Sequence, residues 1–380
     1  MQSADSDREY RGKIMEANSV NENNMSVDEI IDQRRKQDHK RRVLLGYTMA
    51  LFCAVFWGLW YIPGDMVWTL EPFVSMQNEI TALSGSETTS FMVFAVFITG
   101  INALLVVLVL GVWNLWMGKF SEMKRTFMEN KAANKWYFLA SICGGTAVLG
   151  SFMAMGFIGG AFAAVVALLY PVIGSLVSRS WLGQKISRRA MIGIMVVIAG
   201  GVTAYASGFV AELSGGNFQI WGFVGGIMAA VGWGCEGCFA GKALDVSEPD
   251  VGIHMRFIYE TLIWWVIAIP LLALMGYPMY DYLKYILDPT LLVILIMLGF
   301  TFGFCYVTWY KSFPLIGVGR GQAVGSLYAL MAVIFIFLFT GVNPGWLLVL
   351  GAVIAVIGGA IMTSEGTEEI ASLRETGEVE

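Results

Sequence analysis

Ten stretches of about 20 apolar residues recur along this 380-residue chain, at 43–67, 91–117, 136–155, 161–181, 190–208, 218–240, 253–275, 291–310, 321–341 and 345–363. A helix of that length crosses the ~30 Å hydrocarbon core of a bilayer, where a segment must satisfy its own backbone hydrogen bonds. The fold class that follows is an all-α membrane protein with ten transmembrane helices. Composition agrees: 57% of residues are hydrophobic and 14% charged, which is not the balance of a soluble domain. The 13 Trp and 14 Tyr partly serve interfacial belts, so an aromatic near a span end reads first as an anchor.

Lys and Arg concentrate at Arg34–Arg42, Lys119–Lys135, Arg179–Arg189, Lys242 with Arg256, and Lys311 with Arg320. The alternate loops carry almost none, Lys284 excepted. Basic loops stay inside, so both termini are cytoplasmic and the span count is even. Residues 1–42 form a polar arm without a signal-type apolar core, and its Asp28–Lys36 stretch is expected as a solvated positive-inside anchor, a short charged helix at the membrane surface being the alternative. The 68–90 loop, with Glu71, Glu79 and Glu87, has room for a short helix. The tail 364–380 is acidic and reads as disordered. Neither end suggests a nucleic-acid partner.

An internal repeat organises the spans. Gly159, Tyr170, Gly183, Gly193, Gly200 and Gly201 recur as Gly317, Tyr328, Gly341, Gly351, Gly358 and Gly359, each 158 positions later. Phe56-Trp57-Gly58 likewise matches Gly232-Trp233-Gly234 at an offset of 176. The halves are 43–208 and 218–363, joined by an external linker at 209–217. Five spans per half gives them opposite orientation, and such inverted repeats place a substrate site near the midplane where they meet. The glycines put small residues on one face of the fifth and tenth spans, where close backbone approach drives association. That seam lies between the halves or between the subunits of a homodimer; both are open. Pro63, Pro171, Pro270 and Pro314 interrupt or end spans.

The chemistry centres on Glu236, a carboxylate in the apolar sixth span, and an ionisable residue there is a functional-site hypothesis by default. Trp57, Trp60, Tyr61, Gly64 and Asp65 share one helical face, as do Trp233, Glu236, Gly237 and Ala240. The repeat equates Trp57 with Trp233 and Trp60 with Glu236. Tyr170, Tyr328, Tyr306, Trp309 and Tyr310 add rings. A desolvated cation gains on the order of 2 kcal/mol over a Trp or Tyr face, so a ring-lined pocket with one acid suits a cation. A methylated ammonium fits best, since it donates no hydrogen bonds. Against this stands the bland alternative that each ring is helix packing and Glu236 a satisfied structural carboxylate.

Arg256 and Glu260, four apart on the seventh span, are expected to pair near its cytoplasmic end, with a gating or coupling role as the alternative. Asp65 is expected at the outer mouth, drawing in cations or merely solvated. No Lys or Arg is expected beside Glu236. Cys235 and Cys238 spell a metal or redox motif but lie in an apolar helix, with only His39 and His254 elsewhere, so no metal is expected. With no phosphate loop and no nucleophile set, no enzyme activity and no cofactor is expected either.

These residues resemble the drug/metabolite transporter superfamily over nearly the whole membrane portion: Leu169-Tyr170-Pro171-Val172, Leu182-Gly183-Gln184-Lys185-Ile186-Ser187, and Gly193 to Gly201. Within it, Ala230 to Glu236 with Glu248 and Arg256, Phe56-Trp57-Gly58-Leu59, and Phe157 to Gly160 with Ala167 to Pro171 look like the bacterial choline permease branch. Gln184, where many superfamily members have Glu, the N-terminal arm, the long 68–90 loop, Trp60 and Trp264-Trp265 depart from that pattern. The resemblance implies a multi-pass protein of the bacterial inner membrane that imports choline or a related methylated amine such as betaine or carnitine by alternating access. The membrane potential alone, worth about 2.3 kcal/mol per charge per 100 mV, would accumulate a permanent cation roughly 50-fold. The alternative is a proton-coupled exporter of amino acids or other small metabolites. A receptor or scaffold, binding without transport, is the reading from a different class.

Overall fold

The computed structural model describes residues 26–183, 186–215, 220–340 and 345–363. Gln184, Gly341, most of the N-terminal arm, the end of the 209–217 linker and the acidic tail fall outside the described residues. Of the described residues 89% are helical, and no strand is found among them. In chain order the helices are α1 (Val27–Met66), α2 (Phe73–Ser84), α3 (Glu87–Trp116), α4 (Phe120–Glu129), α5 (Lys131–Ala167), α6 (Tyr170–Trp181), α7 (Arg188–Gly215) and α8 (Ile220–Ala243). There follow α9 (Pro249–Leu262), a π turn (Ile263–Ala268), α10 (Ile269–Leu274), a 3-10 turn (Asp281–Leu287), α11 (Pro289–Ile316), α12 (Val318–Gly325), α13 (Tyr328–Thr340) and α14 (Gly345–Thr363).

Residues up to Leu44 and from Leu45 onward form two units. In the first, Ser26 and Glu29 form a capping box that starts α1: Glu29 Oε2 accepts from Ser26 N at 2.8 Å and Glu29 N donates to Ser26 Oγ at 3.3 Å. Two unsatisfied helix-end donors are thereby met. The charged stretch Asp28–Lys36 is part of a continuous 40-residue α1 rather than a short helix of its own. An uninterrupted run of helix formers carries the turn straight into the apolar segment.

Among the described residues seven helical stretches are long and apolar enough to cross a membrane: Val27–Met66, Glu87–Trp116, Lys131–Gly160, Ile220–Ala243, Pro249–Leu274, Pro289–Ile316 and Val318–Phe339. The other three expected stretches correspond to α6, α7 and α14. In the second unit polarity is reversed relative to a soluble protein. Val112 is 69%, Val266 65% and Leu274 86% exposed, while Glu236, Asp250, Arg256 and Glu260 are each 0% exposed. An apolar exterior around buried charges is what a bilayer solvent selects, and the chain has the helices of a multi-pass membrane protein.

Glycine decides where backbones touch and where they break. A Cβ on Gly200 of α7 would lie 2.6 Å from Gly351 O, and one on Gly358 of α14 would lie 2.8 Å from Gly193 O. The glycine seam therefore closes within one chain, between α7 and α14. Gly159 (φ 81°, ψ 157°) breaks α5, and Gly317 (φ 84°, ψ 157°) separates α11 from α12, a conformation that a side chain resists. The hydroxyls of the tyrosines that open α6 and α13 cross over reciprocally. Tyr170 donates to Gln322 O at 2.6 Å and Tyr328 to Ala164 O at 2.9 Å. The prolines fall at helix ends: Pro171 and Pro270 in first turns, Pro63 and Pro314 in last turns. The 68–90 loop holds α2, which buries Phe73, Met76 and Ile80.

Candidate functional site

The helices bring together two adjoining clusters, one of rings and one of charges. Trp57, fully buried on α1, is the hub of the first. Its ring centroid lies 4.7 Å from Trp233, 5.4 Å from Tyr170, 5.9 Å from Trp309 and 4.5 Å from Tyr328. Tyr61 stacks on Tyr328 at 5.4 Å. Trp60 sits one layer out, stacked on Phe302 at 4.5 Å with its indole N–H donating to Asn102 Oδ1 at 3.3 Å. The helical face read from the first span thus meets the face read from the sixth. The rings pack on one another, so a ligand that uses a ring face must first part them. The indole Nε1 atoms of Trp57 and Trp309 are buried without an acceptor, and an unmet buried donor costs about 1–3 kcal/mol.

Glu236 joins this cluster to the second. Its Oε2 accepts from Tyr306 Oη at 2.9 Å and its Oε1 from Tyr310 Oη at 3.1 Å. Tyr306 Oη in turn accepts from Trp233 Nε1 at 2.8 Å. A chain of hydrogen bonds therefore runs from ring to carboxylate, through α8 and α11. Arg256 Nε stands 2.6 Å from Glu236 Oε1, close enough to pair the charges although the N–H is not aimed at the oxygen. Arg256 Nη1 also pairs with Glu260 Oε2, and Trp264 Nε1 donates to Glu260 Oε1 at 3.3 Å. The guanidinium lies 4.1 Å from the ring centre of Phe257 and 4.9 Å from that of Tyr306.

This corrects the expectation that no basic residue stands beside Glu236. Arg256 and Glu260 do pair, as their i,i+4 spacing requires, but Arg256 reaches across to α8 as well. Gly144 of α5 makes this geometry possible, because a Cβ there would collide with Arg256 Nη2 and the Glu236 carboxylate. Glu236 is consequently one of two carboxylates sharing one guanidinium. With both ionised, the triad carries one uncompensated negative charge, and a bare charge in an apolar interior costs several kcal/mol.

Asp65 is not part of it. Its Oδ1 accepts from Gly160 N at 3.2 Å, capping the chain after the break at Gly159, and no contact ties it to the rings. Tyr310, read from the sequence only as one more ring, holds Glu236 directly, and one participant escaped the sequence reading. Gln322 donates from Nε2 to Trp233 O at 3.0 Å and Gly234 O at 3.3 Å, its amide lodged between Gly174 and Gly237. An amide in an otherwise apolar span was the available signal for Gln322.

Where α9 begins, a second ionic group ties three segments together. Asp250, fully buried, pairs with Lys119 and, at 2.8 Å, with Lys311, and accepts from Trp113 Nε1 at 3.1 Å. Glu248 pairs with Lys119 at 2.6 Å. Burial works against the charge of Lys119, but the hydrogen bonds it donates to Asp250 and Glu248, and their negative charges, outweigh burial and raise its pKa.

No protein-family model matches the chain, and no curated protein does. A solved structure described only as "Crystal structure of protein" is similar to it with a TM-score of 0.60 at 14% identity, over 84% of this chain and 96% of that one. At that identity the likeness is one of fold alone.

Proposed function

We propose that the chain is a secondary transporter, of the drug/metabolite transporter type, that carries a quaternary ammonium compound across the bacterial inner membrane by alternating access. The expected direction is import. The observation that carries the reading is the buried triad with one negative charge to spare, hydrogen-bonded through Tyr306 to a cluster of aromatic rings around Trp57. Rings offer a methylated cation about 2 kcal/mol each once water is removed, and Arg256 already uses that chemistry between Phe257 and Tyr306. The unmet indole donors of Trp57 and Trp309 suit a substrate that brings an oxygen as well, as the hydroxyl of choline does.

Ten spans in two inverted five-helix repeats, with both termini in the cytoplasm, is the architecture that goes with this reading. The reciprocal tyrosine bonds support it, because Tyr170 and Tyr328, and Ala164 and Gln322, are each 158 positions apart. The breaks at Gly159 and Gly317 and the glycine contacts of α7 with α14 obey the same offset. The site lies where the two halves meet.

One observation favours the second reading, export of an amino acid or other zwitterionic metabolite: Arg256 supplies a buried partner for a substrate carboxylate. The charge count weighs against it, since two carboxylates already share that guanidinium. The same count ranks choline above betaine and carnitine, whose own carboxylate leaves the negative charge unbalanced. The test is counterflow of labelled choline, betaine, carnitine and an amino-acid mixture into proteoliposomes preloaded with unlabelled compound, with Glu236→Gln alongside wild type. Choline counterflow in wild type, lost in Glu236→Gln, is expected. Counterflow of amino acids alone would replace the reading with the second, and binding without any counterflow would make the protein a receptor.

A further inference from the structure

We propose that the groove between α3 and α11 binds an anionic phospholipid, with one acyl chain lying in the groove and the phosphate meeting Lys119 and Lys311 at its end. The groove, of about 380 Å³, is lined by Leu108, Val112, Trp113 and Trp116 of α3 and by Phe300 and Phe304 of α11. Leu108, Val112, Trp116 and Phe300 are exposed, so the groove opens on the apolar exterior that a bilayer covers. At about 1.5 Å per residue, Leu108 to Trp116 extends over about 12 Å. That is most of the ~15 Å which one leaflet contributes to the hydrocarbon core. The groove therefore has the length and the chemistry of an acyl chain within one leaflet.

One end of it is charged, and Trp113 is the joint. Its ring packs against Phe304 and Trp116 with centroids 5.2 and 5.3 Å away, its N–H donates to Asp250 at 3.1 Å, and Lys311 Nζ lies 5.5 Å from its ring centre. The ionic group there is neutral as a whole and holds together without a ligand, but its charges are not equally placed. Asp250 is fully buried, whereas Lys119 and Lys311 keep 24% and 28% of their side chains exposed and Glu248 keeps 33%. The outward part thus sets two ammonium groups against one carboxylate, a surplus of one positive charge where the groove ends. Basic pockets between membrane helices hold anionic headgroups when they lie at headgroup level. That level is marked by α4, which exposes Phe120, Phe127 and Met128 beside Lys124 and Arg125, the make-up of a helix lying in the interface. A neutral lipid satisfies the groove but not the charge, and a free phosphate the charge but not the groove. A lipid bound here ties α3 to α11 beside the start of α9, the helix that carries Arg256 and Glu260.

The test is thermal unfolding of the delipidated full-length protein in detergent with phosphatidylglycerol or phosphatidylcholine of identical acyl chains, or with glycerol phosphate, the soluble headgroup. Phosphatidylglycerol is expected to raise the midpoint by about 3 °C more than phosphatidylcholine does, and glycerol phosphate to leave it unmoved. Val112→Trp, which fills the groove from an exposed position, is expected to abolish the difference; Leu108→Trp, on the same face, takes its place if that variant does not fold. Equal rises with the two lipids overturn the headgroup assignment and with it the site. A rise with glycerol phosphate, or a phosphatidylglycerol effect that survives the filled groove, puts the anion elsewhere and overturns it as well. A dimer that Val112→Trp splits would give the groove to a second copy of the chain, against the proposal.

Discussion

Two ionic groups share α9, one at Asp250 and one at Arg256 and Glu260, and they differ in balance. At the start of the helix, Asp250 and Glu248 face Lys119 and Lys311, two acids against two bases. Deeper in the bundle, Glu236 and Glu260 face Arg256 alone. Both groups bury charge at a desolvation cost, but only the first repays it from within the protein. A balanced cluster needs nothing further and works as a clamp between α3, α9 and α11. The unbalanced one leaves one carboxylate charge without a basic partner in the triad, and that difference is what the transport proposal rests on.

The largest way to break the contrast is to remove the shared cation. Arg256→Met leaves two buried carboxylates without a cation and is expected to cost about 3–5 kcal/mol, read as a fall in the midpoint of thermal unfolding in detergent. Lys311→Met leaves Asp250 its bond to Lys119 and is expected to cost about 1–2 kcal/mol in the same assay. Equal losses would mean that the triad holds no special charge. Next in size, Glu236→Gln is expected to weaken choline binding about 30- to 100-fold, the loss of a desolvated counter-ion, as measured by quenching of the tryptophans around the site.

Gly144→Ala tests whether the pairing depends on the space that α5 leaves. The added methyl drives Arg256 and Glu236 apart, with an expected cost of about 1–3 kcal/mol and a weaker choline affinity; an indifferent variant would show that the close packing is dispensable. The smallest effect concerns pH at the balanced end. Because the folded-state pKa of Lys119 is raised, its contribution is fully present below the ordinary lysine value of about 10.4 and is lost as pH rises through the higher folded value. Lys119→Met is therefore expected to lower stability by about 1 kcal/mol or less, by the same amount from pH 5 to 9, and the difference is expected to close only in stronger alkali. A difference that changes between pH 5 and 9 would contradict the balance assigned to this end.

What the sequence disclosed follows from what periodicity and spacing can carry. Apolar runs announced the long helices, and helical spacing put Trp57, Trp60 and Tyr61 on one face of the first span and Trp233 and Glu236 on one face of the sixth. The glycines at a 158-residue offset announced a close-packed seam on α7 and α14, because close approach leaves small residues behind as its trace, and only the structure closes that seam within one chain. Contacts across helices leave no such trace. Arg256 was visible only as a neighbour of Glu260 four residues on; its reach to Glu236 depends on how α9 crosses α8 and on Gly144 of a third helix. The bond from Gly160 N to Asp65, 95 residues apart, was hidden for a related reason, since it depends on how α5 breaks at Gly159. Gln322 was passed over because an amide carries no charge to stand out.

The central claim is that the buried triad selects its ligand by positive charge. It is tested most directly by comparing the binding of choline with that of 3,3-dimethylbutanol, a neutral molecule of nearly the same shape in which carbon replaces the ammonium nitrogen. Binding of choline with no detectable binding of the neutral analogue is the expected result; equal affinity for the two would show that the rings select on shape and that the spare charge of Glu236, Arg256 and Glu260 has no part in recognition.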